Sequence, residues 1–322
     1  MSAAAGLVRA HVEAGRLPAA VFGIATARGT TTLEAFGGTA ERPARTGDHF
    51  RLFSITKPLV GLAAARAIER GLLTPLTPLA DAVPEVGAGR EDVVQLRHLV
   101  SHTSGLIEPA LDAPEGLAAA LRRPGRDFAA GAASRYSSIA FEGVAELIRH
   151  ATGRAWDAEV ADFARAAGAT SLTLEESADP HPVVDAAEQG LNVARMAALR
   201  HPGAGLIGRA EDLLNIGSAL LAGGGDIVRP ATLAMMRRPL TGDIPRLEPY
   251  PAERGQDWGF SWNLRTRAPG LIDRDVYGHG GWSGTEFWIH PTAGLAWVLL
   301  TNRAVRPGVD LDAIDNAVVS GV

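Results

Sequence analysis

A hydroxyl and an amine stand three residues apart in Ser54-Ile-Thr-Lys57. On a helix such a pair shares one face, its Cβ atoms about 5–6 Å apart. Serine is a weak nucleophile at its own pKa and needs a base beside it. A lysine amine serves as that base only when desolvation or a neighbouring cation lowers its pKa from about 10.4. Leu52, Phe53, Ile55, Leu59 and Val60 supply an apolar setting. The start of a helix adds a positive field that disfavours ammonium and favours an oxyanion near the serine. Lys57 is also the only lysine of the chain, every other basic residue except histidine being arginine. Arginine does not give up its proton, so the residue type kept at this one position is the one that can. Taken alone, S-x-x-K also describes the solvated start of an ordinary helix, and the pair needs partners.

Two segments offer them. Tyr136, one of three tyrosines, precedes a helical stretch with Ser138 placed as its N-cap. A phenol beside an ammonium approaches phenolate and acts as a base or proton shuttle, although a packed tyrosine at a helix start reads the same way. The second segment, Tyr277-Gly-His279-Gly280-Gly281-Trp282-Ser-Gly284, is unusually rich in glycine for a strand. Glycine there often marks close approach of backbone to a ligand, and a free N–H beside the serine would complete an oxyanion hole; a bulge before the last hairpin is the plainer alternative. Trp282 would stand at the mouth of the site and shape an acyl pocket.

Together these motifs, in this order and at these separations, resemble the serine β-lactamase-like superfamily: class C β-lactamases, DD-peptidases, family VIII carboxylesterases and related amidases. Leu99-Val-Ser-His-Thr-Ser-Gly-Leu106, Gly203-Ala-Gly-Leu-Ile-Gly-Arg-Ala-Glu-Asp212 and Asp257-Trp-Gly-Phe-Ser-Trp262 agree, and the resemblance runs from about Val21 to Asn302. It implies that Ser54 is acylated, that Lys57 and Tyr136 share the acid and base work, and that the Ser54 and Trp282 N–H groups form the oxyanion hole. It also implies that His279 and Gly280 line the substrate strand. Which of Lys57 and Tyr136 is the acylation base stays open. β-Lactamases and peptidases usually carry Lys-Thr-Gly where this chain has His279-Gly280-Gly281, and Asn where it has Ser138. A largely neutral histidine attracts a substrate carboxylate less than lysine does, and serine reaches less far than asparagine. Both changes weaken the case for β-lactams and favour neutral esters or amides; the reading taken is a carboxylesterase of small neutral esters. A β-lactamase, DD-peptidase or amide hydrolase on the same scaffold is the alternative, as is a sensory module that is acylated without turnover.

Other candidates carry less. His98 and His102, four apart on an expected helix, lack a third metal ligand, and the resemblance makes their turn a structural support. Asp257 and Glu286 read as strand-end charges, and Trp258 and Trp262 as one face of a strand. No Gly-x-Ser-x-Gly is present, which argues against an α/β-hydrolase. No metal or cofactor is expected.

The elements that must position these groups follow a strands–helices–strands order. A helix over 3–15 leads to a hairpin of 20–26 and 31–36. A helix runs from Ser54 to Arg70, Pro58 being tolerable only in its first turn. Helices are expected over 94–102, 138–150, 156–167 and from Gly208 to about Ala222, then strands over 258–264, 276–280, 286–290 and 295–301, and a last helix over 310–319. The expectation is an α+β, β-lactamase/transpeptidase-like unit over 1–322. Residues 1–80 and 205–322 would build an antiparallel sheet flanked by helices, and 81–204 an all-helical subdomain. With 322 residues, 46% hydrophobic, the chain can bury a large core. A net charge of -5 without a basic patch argues against nucleic acid and anionic membranes. The lack of cysteine excludes disulfides, thiolate chemistry and Cys-ligated zinc. No signal peptide or apolar window of about 18 residues is read, which makes the cytoplasm the default compartment and a small ester or amide the partner. The oligomeric state is not indicated.

Overall fold

The computed structural model describes residues 2–250, 255–267 and 273–321. Its centre is β1 (Ala19–Thr26), a strand buried on both faces, paired on one side with β2 (Gly29–Gly37) across the Ala27-Arg28 turn. On its other side lies β9 (Leu295–Thr301), which continues through the Pro291–Gly294 turn from β8 (Glu286–His290). Beyond β8 come β7 (Tyr277–Gly280), β6 (Asn263–Leu264) and β5 (Asp257–Trp258), so that the order is β2-β1-β9-β8-β7-β6-β5 with every pair antiparallel. The mixed helix and antiparallel-sheet architecture expected from the sequence is therefore present.

Helices cover both faces because alternate side chains of the central strands are apolar on both. Ala20 and Phe22 join Trp297 and Leu299 against α1 (Ala3–Glu13) and α11 (Leu311–Ser320). Ala19, Val21 and Ala25 face the main core instead, under α9 (Ala210–Leu221). In that core lies α2 (Thr56–Glu69), whose residues Thr56–Ala65 are all buried. A helix buried all round has no solvent face: over these residues α2 packs among α6 (Ile139–Thr152), α7 (Trp156–Ala166) and the main core. Further short helices lie before and after these: α3 (Pro84–Gly87), α4 (Leu96–Val100), α5 (Leu117–Leu121), α8 (Val193–Ala198) and α10 (Pro230–Met236). A second sheet pairs β3 (Phe50–Arg51) with β4 (Ile207–Gly208).

Several local expectations are corrected. The single strand over 258–264 is a hairpin: Ser261 takes a φ of 69° and reverses the chain between β5 and β6. Trp258 and Trp262 consequently do not share a strand face. The helix at Ser54 begins as a 3₁₀ turn, Phe53–Ile55, and becomes α-helical only at Thr56, with Pro58 in the first turn. His98 and His102 do not share a helix, because α4 ends at Val100 and His102 takes a φ of 59°.

Where α9 rests on the sheet, a Cβ on Gly217 would come within 2.8 Å of the Ala296 methyl and 3.3 Å of the Phe287 ring. We expect Gly217→Leu to lower stability by about 1–3 kcal/mol, the usual cost of overpacking, as read by equilibrium urea unfolding. An unchanged midpoint would show that α9 is not seated as described.

Candidate active site

The turn that presents Ser54 is strained. Phe53 takes a φ of 46°, a left-handed conformation that is an outlier for an aromatic residue. Its ring is buried among Leu191, Met196 and Ala204 and packs on Trp282 at 5.3 Å, which holds the backbone in place. On either side the chain is tied to Leu206, the residue before β4: Leu52 N–H donates to the Leu206 carbonyl at 2.9 Å, and Leu206 N–H donates to the Thr56 hydroxyl at 3.1 Å. Ser54 is half-buried at the surface of this turn, whereas Lys57, one helical turn on, is fully buried.

The Lys57 amine lies 3.1 Å from Ser54 Oγ, 3.1 Å from Ser138 Oγ and 2.8 Å from the Gly203 carbonyl. Burial lowers its pKa to about 7, against a smaller opposing effect of Glu108. The Gly203 carbonyl is aimed by its own loop: Gly203 N–H donates to His201 Nδ1 at 2.9 Å. Burial, and the nearby amine, take His201 down to about 3, so its ring is neutral. An uncharged Lys57 has two N–H bonds and one lone pair. The carbonyl can only accept, so the lone pair must face one of the two hydroxyls.

Tyr136 packs its ring beneath the same amine, with Nζ 4.7 Å from the ring centre. The ring is held by His102 at 4.4 Å and Trp258 at 5.5 Å. Burial pushes the phenol well above its ordinary value, Tyr250 adds to the rise, and the Ser54 hydroxyl opposes it. The phenolate suggested by the sequence is thereby corrected: desolvation dominates, and the amine meets the ring face. Ser54 is within electrostatic reach of the Tyr136 hydroxyl, yet the two are not aligned as a hydrogen bond. His102 accepts from Ser137 N–H through Nδ1 at 3.0 Å, and burial holds it well below its usual range.

Ser138 occupies the N-cap position of α6, but its side chain does not cap the helix; it meets Lys57 instead. Ser137 Oγ accepts from Ala140 N–H at 3.2 Å, and Glu108 accepts from Ser138 N–H at 2.8 Å, Ile139 N–H at 3.3 Å and the Ser137 hydroxyl at 2.7 Å. Crowding by protein raises the Glu108 carboxyl, while these donors and Lys57 lower it. The residue is solvent-exposed, and every contact to its oxygens is a donor, so the carboxylate is the form its surroundings favour at neutral pH.

The opposite wall is β7 and its turn. His279 directs Nδ1 to the Gly280 carbonyl at 2.7 Å. Since a carbonyl only accepts, the proton sits on Nδ1 and Nε2 presents a lone pair. Burial, and then Lys57, lower His279 to about 3. Gly281 N–H donates to the Thr285 carbonyl at 2.6 Å, and the Thr285 hydroxyl donates to the Leu52 carbonyl at 3.2 Å, tying this wall to the Ser54 turn. A Cβ on Gly281 would fall 2.5 Å from that same Leu52 oxygen, so glycine is required for the approach. Among the described residues, the Ser54 and Trp282 N–H groups donate to none.

The fold therefore gathers Ser54, Lys57, Tyr136, Ser138, His279, Gly280, Gly281 and Trp282 around one cleft. It adds Glu108, His201, the Gly203 carbonyl and His102. The first three of these carry no side-chain motif, and the last reads from sequence as a support. Asp257 and Glu286 do open strands β5 and β8, as read from the sequence, but both are buried. Asp257 is held by Arg246, Thr241 and Thr266. Glu286 accepts from the Trp288 indole at 2.8 Å and lies under Gly280, burial raising it to about 7. No group of three or more potential metal ligands is present among the described residues, nor is any helix there long and apolar enough to cross a membrane.

Comparison with known proteins bears on the fold and the family. Esterase EstB of Burkholderia gladioli is 31% identical over 330 residues, covering 82% of this chain and 80% of its own length. Among solved structures, EstCE1, described as a hydrolase with promiscuous acyltransferase activity, superposes with a TM-score of 0.80 at 23% identity, covering 98% of this chain and 97% of its own. A family VIII carboxylesterase does so with 0.79 at 21% identity, covering 99% and 96%. The model of the Beta-lactamase family matches residues 4–320, and the chain belongs to that family.

Proposed function

We propose that this chain is a serine hydrolase, a carboxylesterase of small neutral esters that works through an acyl-enzyme on Ser54. The observation that carries the reading is the hydrogen-bond set of the buried Lys57 amine. With one N–H on Gly203 O and one on Ser138 Oγ, its lone pair is left for the Ser54 proton. Ser54 Oγ then attacks the ester carbonyl while its proton passes to Lys57. The Ser54 and Trp282 N–H groups stabilise the oxyanion. As the C–O bond breaks, the leaving alkoxide takes up the proton that Lys57 accepted, directly or relayed through the Tyr136 hydroxyl, and the alcohol departs. Water repeats the sequence on the acyl-enzyme, with Lys57 again as base, and releases the acid and free Ser54. Tyr136, raised above its ordinary range, is suited to giving a proton and not to taking the first one. The ester preference is supported by the neutral His279 where a carboxylate-binding cation would stand, and by the esterase among the relatives. We also take residues 81–204 as a helical unit carrying one wall of the cleft.

Ser54→Ala should abolish labelling by a fluorophosphonate with the fold intact, and Lys57→Arg and Lys57→Met should each lower acylation by about 10²–10⁴-fold. An adduct mapped by mass spectrometry to another serine, or Lys57→Arg retaining more than about a tenth of the rate, would overturn the assignment.

The base must be uncharged to act, so kcat/KM should fall as pH falls through about 7 and level off above it. A profile flat across neutrality, in the presence of active Ser54, excludes Lys57 as the titrating base.

p-Nitrophenyl butyrate should be hydrolysed far faster than a chromogenic cephalosporin. The reverse order would favour the β-lactamase alternative, and a single burst of labelling without steady turnover would favour the sensory one.

A further inference from the structure

We propose that Glu108 is a recognition group for a cationic nitrogen on the substrate, so that the site favours esters or amides carrying an ammonium group near the reacting carbonyl. This rests on the reading of Ser54 and Lys57 as the acyl-transfer pair.

The first observation is a charge left without a partner. Several buried or half-buried carboxylates are matched with arginine, as in Asp92–Arg90 at 2.6 Å, Asp112–Arg195 at 2.6 Å and Glu159–Arg70 at 2.9 Å, whereas Asp185 and Asp212, held by neutral donors only, are closed off from solvent. Among the described residues Glu108 has no such counter-ion, although the chain is rich in arginine. Its three hydrogen bonds come from neutral donors, and it remains open to solvent.

The second observation is where that charge stands. Glu108 Oε1 holds Ser138 N–H, and the hydroxyl of the same serine holds Lys57. Its field reaches both Lys57 and Tyr136. The groups that could offset it there are uncharged: His102, His201 and His279 are all kept neutral by burial. On β7, where the β-lactamases and peptidases usually carry a lysine, His279 is neutral, its Nε2 buried and without a partner among the described residues. The site thus carries an anion on one wall and a neutral imidazole, not a cation, on the other. Neutral and cationic substrates are admitted, anionic ones are repelled, and only the cationic ones gain.

Capping α6 explains two of the Glu108 hydrogen bonds but not the choice of a charged group. A neutral cap would serve the helix, whereas an anion here raises the pKa of an amine that must stay uncharged. A cationic substrate removes that conflict, since it neutralises Glu108 when bound.

Two near-isosteric pairs test the proposal on either side of the scissile bond: the p-nitrophenyl ester of β-alanine against p-nitrophenyl butyrate, and acetylcholine against 3,3-dimethylbutyl acetate. The wild-type protein should favour the cationic member of at least one pair by about three- to ten-fold in kcat/KM, mainly through KM, and high salt should shrink the preference. Glu108→Gln should remove it. Equal or reversed preference in both pairs, or a preference that survives Glu108→Gln, overturns the proposal. So does an equal loss on both members in the variant, which would make Glu108 only a cap. Failure of the wild type to hydrolyse any of the four esters, with Ser54 unlabelled, would instead sink the hydrolase reading and this proposal with it.

Discussion

The molecule is organised around an amine that has no water. Lys57 sits in a helix without a solvent face, and bringing its pKa from 10.5 to about 7 reflects an environment hostile to ammonium by roughly 5 kcal/mol. The surroundings are consistent with that single demand. Its hydrogen-bond partners are two hydroxyls and a carbonyl, its neighbouring imidazoles are uncharged, and the one carboxylate in reach stands off behind Ser138. An amine solvated by fixed neutral dipoles is held in place without being held charged. A direct carboxylate contact would fix it equally well and end its use as a base.

Four separated stretches of chain meet at that amine, and backbone hydrogen bonds set their spacing more than side-chain packing does. Leu52 is the common anchor: its N–H is bound by Leu206 and its carbonyl by Thr285. The Ser54 turn, the Gly203 loop and the β7 turn are therefore fixed to one residue, and strain at Phe53 is borne by ties on both sides of it. The α6 wall is joined separately, through Ser138 and Glu108. Reacting groups placed on rigid neighbours keep their geometry without reorganisation during the reaction.

Much of this was legible in the sequence because side-chain chemistry and local periodicity carry it. Ser54 and Lys57 declare themselves by spacing, apolar flanks and the rarity of lysine. The C-terminal strands show as apolar clusters between turns. What was not legible depends on contacts distant in sequence. Glu108 lies on a loop with no motif and acquires its place only when the chain folds it onto the start of α6. Ser138 reads as a cap from its position, yet tertiary contacts give the cap to Ser137 and Glu108 and leave Ser138 for the amine. The Trp258–Trp262 spacing suits one strand face, but the left-handed turn at Ser261 divides it. The short β3–β4 pair is too brief to leave a periodic signal.

Burying the sole lysine also shapes how the whole molecule takes up protons. Lysine, tyrosine and cysteine are the side chains that ordinarily titrate in mild alkali. Here there is no cysteine, Lys57 has moved down to neutrality, and Tyr136 and Tyr277 have moved upward. The positive charges of the exterior are guanidinium groups, which keep their protons throughout. Lys57 and these two tyrosines therefore add no change of charge in weak alkali. The exterior also offers no lysine side chain to acylating reagents or to enzymes that modify ε-amines, so an acyl group in search of a nucleophile finds its lysine only inside the cleft.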